Sequence, residues 1–117
     1  MTKALVTGVG AVTPIGLGAH EFWKHLVAGE SGIDTISSFD YSELPVHIAG
    51  EVRGFVASEY MDAKAAKRMA RFAQFSVAAA QMALDDSGLK ISEEASHRAA
   101  TCVATGAGGV VETIHET

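Results

Sequence analysis

In the first third of the chain, a run of hydrophobic residues typical of a strand is followed by hydrophobic residues at the spacing of a helix. Residues 2–12 are apolar and nearly uncharged after Lys3, which predicts a buried strand. Residues 19–28 predict a short amphipathic helix, with Gly29 placed to end it. The apolar side of this helix carries Phe22, Trp23, Leu26 and Val27.

The middle of the chain is more polar. Residues 31–45 are rich in Ser, Asp and Tyr and predict a connection. Residues 46–52 alternate like an edge strand, in which Gly50 is placed as a bulge.

The second half predicts one long helix and a further strand. Asp62 is a suitable N-cap for a helix that runs to about Ser87 and closes at Gly88. A polar connection follows at 89–98, then a second buried strand at 99–104, a TGAGG turn and a helix start at Val110. This order predicts an α/β layered fold with a largely parallel sheet.

The opening sequence VTGVGAVTPIG raises the question of nucleotide binding. A dinucleotide-binding fingerprint needs three glycines, and here Gly8 and Gly10 are followed by Thr13 at the third position. A tight turn where two backbones pass closely is therefore the favoured interpretation, and a nucleotide-binding oxidoreductase remains the weaker alternative.

Charge is distributed unevenly. The 117 residues carry a formal net charge of −5, which argues against general nucleic-acid binding. Four of the nine basic residues nevertheless lie in a short segment without acids, namely Lys64, Lys67, Arg68 and Arg71. On one continuous helix these four share one face. Because cations at the positive end of a helix strengthen an anion site, the pattern favours an acidic partner over a merely solvated face.

The sequence offers few candidates for a nucleophile, a metal ligand or a targeting signal. The one cysteine, Cys102, lies inside the predicted strand 99–104 and is expected to be buried and inert. The five histidines are scattered without metal-ligand spacing, so no metal site and no cofactor are predicted. The apolar run at the N-terminus is too interrupted for a signal peptide, and a single cysteine fits a cytoplasmic protein.

Taken together, these segments resemble the N-terminal part of the β-ketoacyl-[acyl-carrier-protein] synthases, condensing enzymes of the thiolase superfamily. The resemblance runs through VTGVGAVTPIG, FWKHLVAGESGI, LPVHIAGEV, KRMARFAQFSVAAAQMALDDSGL and TGAGG, in order. It implies that residues 1–117 are the N-terminal portion of a thiolase-like core with α/β/α/β/α layers. It also implies a homodimeric acyltransferase of fatty-acid synthesis, which joins an acyl-enzyme to malonyl-carrier by decarboxylative Claisen condensation.

The resemblance further implies roles for individual residues. Lys64, Lys67 and Arg68, with Arg71 beside them, match positions that bind the acidic acyl carrier protein. Ala107 matches a position in the acyl-chain pocket that is often larger in relatives, so longer acyl chains are expected. The turn glycines Gly106, Gly108 and Gly109 are expected to be structural and to permit close backbone approach.

The family's catalytic residues, a nucleophilic cysteine and two histidines, have no counterpart in this sequence. The 117 residues alone are therefore expected to be inactive, with no catalytic residue among them. A non-catalytic, chain-length-factor-like subunit of a polyketide synthase shares the same N-terminal pattern and remains the alternative.

Overall fold

A computed structural model describes residues 2–109 of the chain. The described residues form two compact units. One unit contains residues 11–56, and the other combines residues 2–10 with residues 57–109. Four apolar residues of the described chain are buried: Ile36 and Phe55 in the first of these units, Ala66 and Ala78 in the second.

The unit of residues 11–56 begins with a tight hairpin. Strands β1 (Val12–Thr13) and β2 (Gly16–Leu17) pair antiparallel around a two-residue loop that starts at Pro14. Proline fixes φ near the value that the first position of a turn requires. The Thr13 hydroxyl donates a hydrogen bond to the Gly16 carbonyl at 2.9 Å, which closes the loop.

Helix α1 (Ala19–Val27) follows, as the periodicity predicts. Gly29 has φ of 73°, and its N–H donates a hydrogen bond to the Leu26 carbonyl. The N–H of Glu30 donates to the His25 carbonyl. This pair of bonds is the Schellman arrangement, so the predicted helix end at Gly29 is confirmed. The predicted apolar side is not buried among the described residues, since Trp23 is 64% exposed and Val27 is 68% exposed.

The second hairpin of this unit joins β3 (Ile33–Thr35) to β4 (Ile48–Gly50), again antiparallel. The connection predicted at 31–45 therefore contains a strand. The bulge predicted at Gly50 is wrong, because Gly50 pairs in regular register with Ile33. Both strand pairs among residues 2–109 are antiparallel, so the largely parallel sheet expected from the sequence is not found there.

A carboxylate fastens the chain that leaves β3. Glu51 accepts hydrogen bonds from the backbone N–H and hydroxyl groups of both Ser37 and Ser38, at 2.5–2.9 Å. Arg53 bridges this carboxylate to Asp34. Hydrogen bonds from Ser38 and Ser37 lower the pKa of Glu51 to about 2. Those from the Thr35 N–H and Arg53 also lower the pKa of Asp34.

The other unit contains two helices where the sequence predicts one. Asp62 caps α2 (Ala63–Ala66) by accepting a bond from the Ala65 N–H at 2.9 Å. The helix then stops, and α3 (Arg71–Ser87) begins after Ala70, whose ψ of 152° is not helical. At its far end α3 closes at Gly88 with φ of 63°, as predicted.

Residues 8–10 lie against α3, and residues 2–11 do not pair in a strand. A Cβ on Gly8 would overlap the Ala83 carbonyl oxygen, and a Cβ on Gly10 would overlap that of Ala79. The Val9 N–H donates to an Asp86 carboxylate oxygen at 2.9 Å. The predicted close passage of two backbones is confirmed, whereas the predicted strand at 2–12 is wrong except for its last residue, because no described segment offers residues 2–11 a ladder of hydrogen bonds.

The strand predicted at 99–104 is also absent, and these residues are exposed. A turn follows in which the Gly108 N–H donates to the Thr105 hydroxyl at 3.0 Å. The helix start predicted at Val110 lies outside the described residues.

The glycine contacts with α3 give a first prediction. Replacing Gly10 with Ala should lower the free energy of unfolding by about 1–3 kcal/mol, since the added methyl group displaces the backbone of α3. Urea unfolding measures the change. Gly106→Ala is the control, because Gly106 has no positive φ and no described atom near its Cβ position. Equal effects of the two substitutions would contradict the close packing.

The hydrogen bonds of Glu51 with Ser37 and Ser38 give a second prediction. The pKa of Glu51 falls from 4.5 to about 2 on folding, so its stabilisation is complete above pH 4.5 and is lost as the pH falls towards 2. Glu51→Gln should therefore be less stable than the wild type at neutral pH, with a difference that narrows between pH 4.5 and 2. Unfolding measured across this range tests it, with exposed Glu43→Gln as control. A difference independent of pH would contradict the network.

Candidate functional site

The basic segment predicted from the sequence lies where α2 gives way to α3. Lys64 is in α2, Lys67 is its C-terminal cap residue, Arg68 is in the following turn, and Arg71 is the first residue of α3. All four are exposed. We call Lys64, Lys67 and Arg68 the basic cluster and treat Arg71 separately.

The single helical face expected for these residues is wrong, because the helix is broken between them. Lys67 ends a helix instead of standing in its second turn, so its charge lies at the terminus where a cation is favourable. The anion site inferred from the positive end of one long helix is therefore not the basis of this surface. What remains is a local concentration of positive charge on a tight turn.

One side chain from α3 bonds to the backbone on the other side of the break. The Gln74 amide nitrogen donates to the carbonyl of Ala66 at 2.8 Å and to that of Met69 at 3.2 Å. The Met69 N–H also bonds the Ala66 carbonyl, three residues back, which tightens the end of α2. No signal in the sequence marks this break, since residues 63–87 contain neither Gly nor Pro.

The basic cluster is not neutralised within the described chain. Among residues 2–109, no carboxylate forms an ion pair with Lys64, Lys67 or Arg68. Lys24 pairs with Glu21 at 3.6 Å and Arg53 with Asp34 at 3.0 Å. Lys3, Lys90 and Arg98 also form no ion pair among residues 2–109, but they lie apart in the sequence.

Arg71 has a different environment. Its guanidinium carbon stands 4.8 Å from the centre of the Phe75 ring, and one of its nitrogens lies 3.5 Å from the Gln74 amide oxygen. Arg71 is thus held along α3, next to the basic cluster.

Two surface depressions occur in this unit. A shallow one of about 280 Å³ adjoins the basic cluster and is lined by Ala63, Ala66, Lys67 and Gln74, among others. A larger open groove of about 640 Å³ runs between α3 and residues 89–102. It is lined mainly by alanines and aliphatic side chains and also contains Cys102.

Cys102 is exposed, which corrects the expectation that it is buried. The strand that was to enclose it does not form among the described residues. The part of the chain that the structure describes contains no group of three or more His, Cys, Asp and Glu residues arranged to hold a metal ion.

Ala107 and its neighbouring glycines form an exposed turn. Neither depression described above includes Ala107, so the acyl pocket expected there is not delineated. A Cβ on Gly108 would come within 2.6 Å of the Phe72 ring, and Gly109 has φ of 85°. Gly106 has no described atom within 4 Å of its Cβ position, so the close approach predicted for it is not found within residues 2–109.

The nucleotide-binding alternative does not fit the first loop. A dinucleotide fingerprint needs a strand, a glycine loop and then directly a helix N-terminus. Here Gly8 and Gly10 contact the side of α3, and the β1–β2 hairpin precedes α1.

Among the helices of residues 2–109, none combines the length and apolar character that a membrane span requires.

Comparisons with known proteins all match this chain to ketoacyl synthases. The family described as "Beta-ketoacyl synthase, N-terminal domain" matches residues 1–117. Two relatives named 3-oxoacyl-[acyl-carrier-protein] synthase 2 are similar to the chain. The one from Vibrio cholerae is 40% identical over 97% of this chain and 28% of its own length. The one from Synechocystis is 41% identical over 92% of this chain and 26% of its own.

A solved structure is also similar. "The ishigamide ketosynthase/chain length factor" superposes with a TM-score of 0.68 and 36% identity, covering 78% of this chain and 22% of that one. The chain thus spans about a quarter of the length of the relatives it matches.

Proposed function

Because this chain belongs to the β-ketoacyl synthase family, we propose that residues 1–117 are the N-terminal part of an acyltransferase of fatty-acid synthesis. The whole enzyme transfers an acyl group from an acyl-enzyme to malonyl-[acyl-carrier-protein]. Loss of carbon dioxide drives carbon–carbon bond formation, and the product is 3-oxoacyl-[acyl-carrier-protein]. The names of the relatives from Vibrio cholerae and Synechocystis support this assignment.

We propose that the whole enzyme has a layered architecture. The described helices and hairpins belong to the first part of a thiolase-like α/β/α/β/α core in a cytoplasmic homodimer. The nucleophilic cysteine and two catalytic histidines lie in the remainder of the enzyme. Residues 1–117 contribute a docking surface and part of the acyl pocket, and have no condensing activity alone.

The docking surface is the basic cluster, and its partner is the acyl carrier protein. The observation that carries this proposal is the grouping of Lys64, Lys67 and Arg68 on one exposed segment, with no ion pair within residues 2–109, in a chain of net charge −5. Exposed cations without an internal counter-charge attract an acidic protein and accelerate its encounter.

A second candidate is a non-catalytic chain-length-factor-like subunit, favoured by the name of the similar solved structure, which includes a chain length factor. An acyl-transfer assay of the full-length protein with a malonyl-carrier separates the two functions. Formation of 3-oxoacyl-carrier supports the synthase, whereas carrier binding without product formation supports the subunit.

Reversing the charges of the basic cluster tests carrier docking. The triple variant K64E/K67E/R68E of the full-length protein should bind acyl carrier protein tenfold or more weakly, because attraction becomes repulsion. Added salt, which weakens binding of the wild type, should no longer weaken binding of the variant and should slightly strengthen it, because screening now reduces a repulsion. Calorimetric titration at several ionic strengths measures both quantities.

The matched control carries the same change in net charge elsewhere. K3E/K90E/R98E reverses three cations outside the basic cluster and should bind the carrier within about twofold of the wild type, apart from the long-range effect of net charge. Equal losses in the two variants would show that net charge, and not the basic cluster, attracts the carrier.

The small side chain at position 107 is proposed to leave room for longer acyl chains. Ala107→Ile should shift the chain-length preference of the full-length enzyme towards shorter acyl groups, measured as kcat/KM across a series of acyl-carriers. A loss of about tenfold for the longest substrates is expected, since crowding by about two or three methylene groups costs 1–3 kcal/mol. An unchanged preference across the series would refute this role.

A further inference from the structure

We propose that Gln74 is a positioning residue for carrier binding: its amide holds open the break between α2 and α3 and thereby sets how the basic cluster is presented. This inference rests on the proposed docking function and adds a specificity-determining residue that carries no charge.

The break is not explained by local sequence preference. The turn residues Lys67, Arg68 and Ala70 are good helix formers, and neither Gly nor Pro interrupts residues 63–87. A continuous helix is therefore the conformation that the sequence favours locally. Yet Ala70 has φ of −59° and ψ of 152°, outside the helical region.

The hydrogen bonds of Gln74 account for the helix break, which local sequence preference does not explain. In a continuous helix the carbonyls of Ala66 and Met69 would accept backbone N–H groups four residues ahead. In this structure the Gln74 amide reaches both carbonyls, at 2.8 and 3.2 Å. The bond to the Ala66 carbonyl is partly buried and so partly shielded from competition by water, whereas the longer bond to the Met69 carbonyl is exposed.

Two arrangements of the same charges are thus available to the chain. In a continuous helix Lys64, Lys67 and Arg68 would share one face with Arg71, whereas the break separates them onto a helix, its cap and a turn. Gln74 also lines the shallow depression beside Lys67, so it lies at the surface that a partner would contact. A partner fitted to the broken arrangement binds only the molecules in which Gln74 holds it.

Substitution of Gln74 by Met tests the inference, since Met has similar length and no N–H donor. In the full-length protein Gln74→Met should bind acyl carrier protein about threefold to tenfold more weakly, because the competent arrangement is less populated. Its salt dependence should match that of the wild type, as every cation is retained. The Met69 N–H, which bonds Ala66, should also exchange faster with deuterium.

The control is Gln81→Met, in the same helix, where the lost bond is to Asp85 and far along the sequence from the basic cluster. It should bind the carrier like the wild type. If Gln74→Met does not fold, Gln74→Leu takes its place, since Leu also has no donor and adds no charge beside the basic cluster.

Carrier affinity of Gln74→Met within twofold of the wild type would overturn the inference, even if its melting temperature fell. The proposed docking function fails by a different result, namely unchanged affinity of K64E/K67E/R68E. Weakened binding by the charge variant together with normal binding by Gln74→Met would leave docking intact and remove the role of Gln74.

Discussion

The unit of residues 2–10 and 57–109 depends on the absence of side chains at Gly8 and Gly10. Both glycines lie so close to α3 that a Cβ at either position would overlap a helix carbonyl. The contact replaces the layer of side chains that normally separates two segments with direct backbone packing. Ala78, on the neighbouring turns of the same helix, is fully buried, whereas most other apolar residues of the described chain are not.

Once α3 is fixed, the geometry of the basic cluster follows from its first turns. Gln74 and Arg71 both belong to α3, and the Gln74 amide reaches back to the carbonyls that end α2. The position of Lys67 and Arg68 is therefore set from outside their own segment. A short helix such as α2 has little stability of its own, so tertiary bonds of this kind decide where it stops.

Sequence reasoning predicted the features that depend on local chemistry. The ends of α1 and α3 at Gly29 and Gly88, the cap at Asp62 and the close passage at Gly8 and Gly10 all follow from residue type. The strands predicted at 2–12 and 99–104 failed because a strand needs a hydrogen-bonded neighbour, which the apolar pattern does not specify.

The candidate site was predicted in part. The clustering of the basic residues can be counted in the sequence, but their arrangement involves a side-chain bond across eight residues that no helical periodicity reveals. In the unit of residues 11–56, cationic side chains form ion pairs with carboxylates, as where Arg53 bridges Asp34 and Glu51. The chain leaves Lys64, Lys67 and Arg68 without such partners among the described residues, on a turn whose shape is fixed by an uncharged side chain. Charge held in a defined shape provides both attraction and discrimination, because an acidic partner must match the spacing as well as the sign.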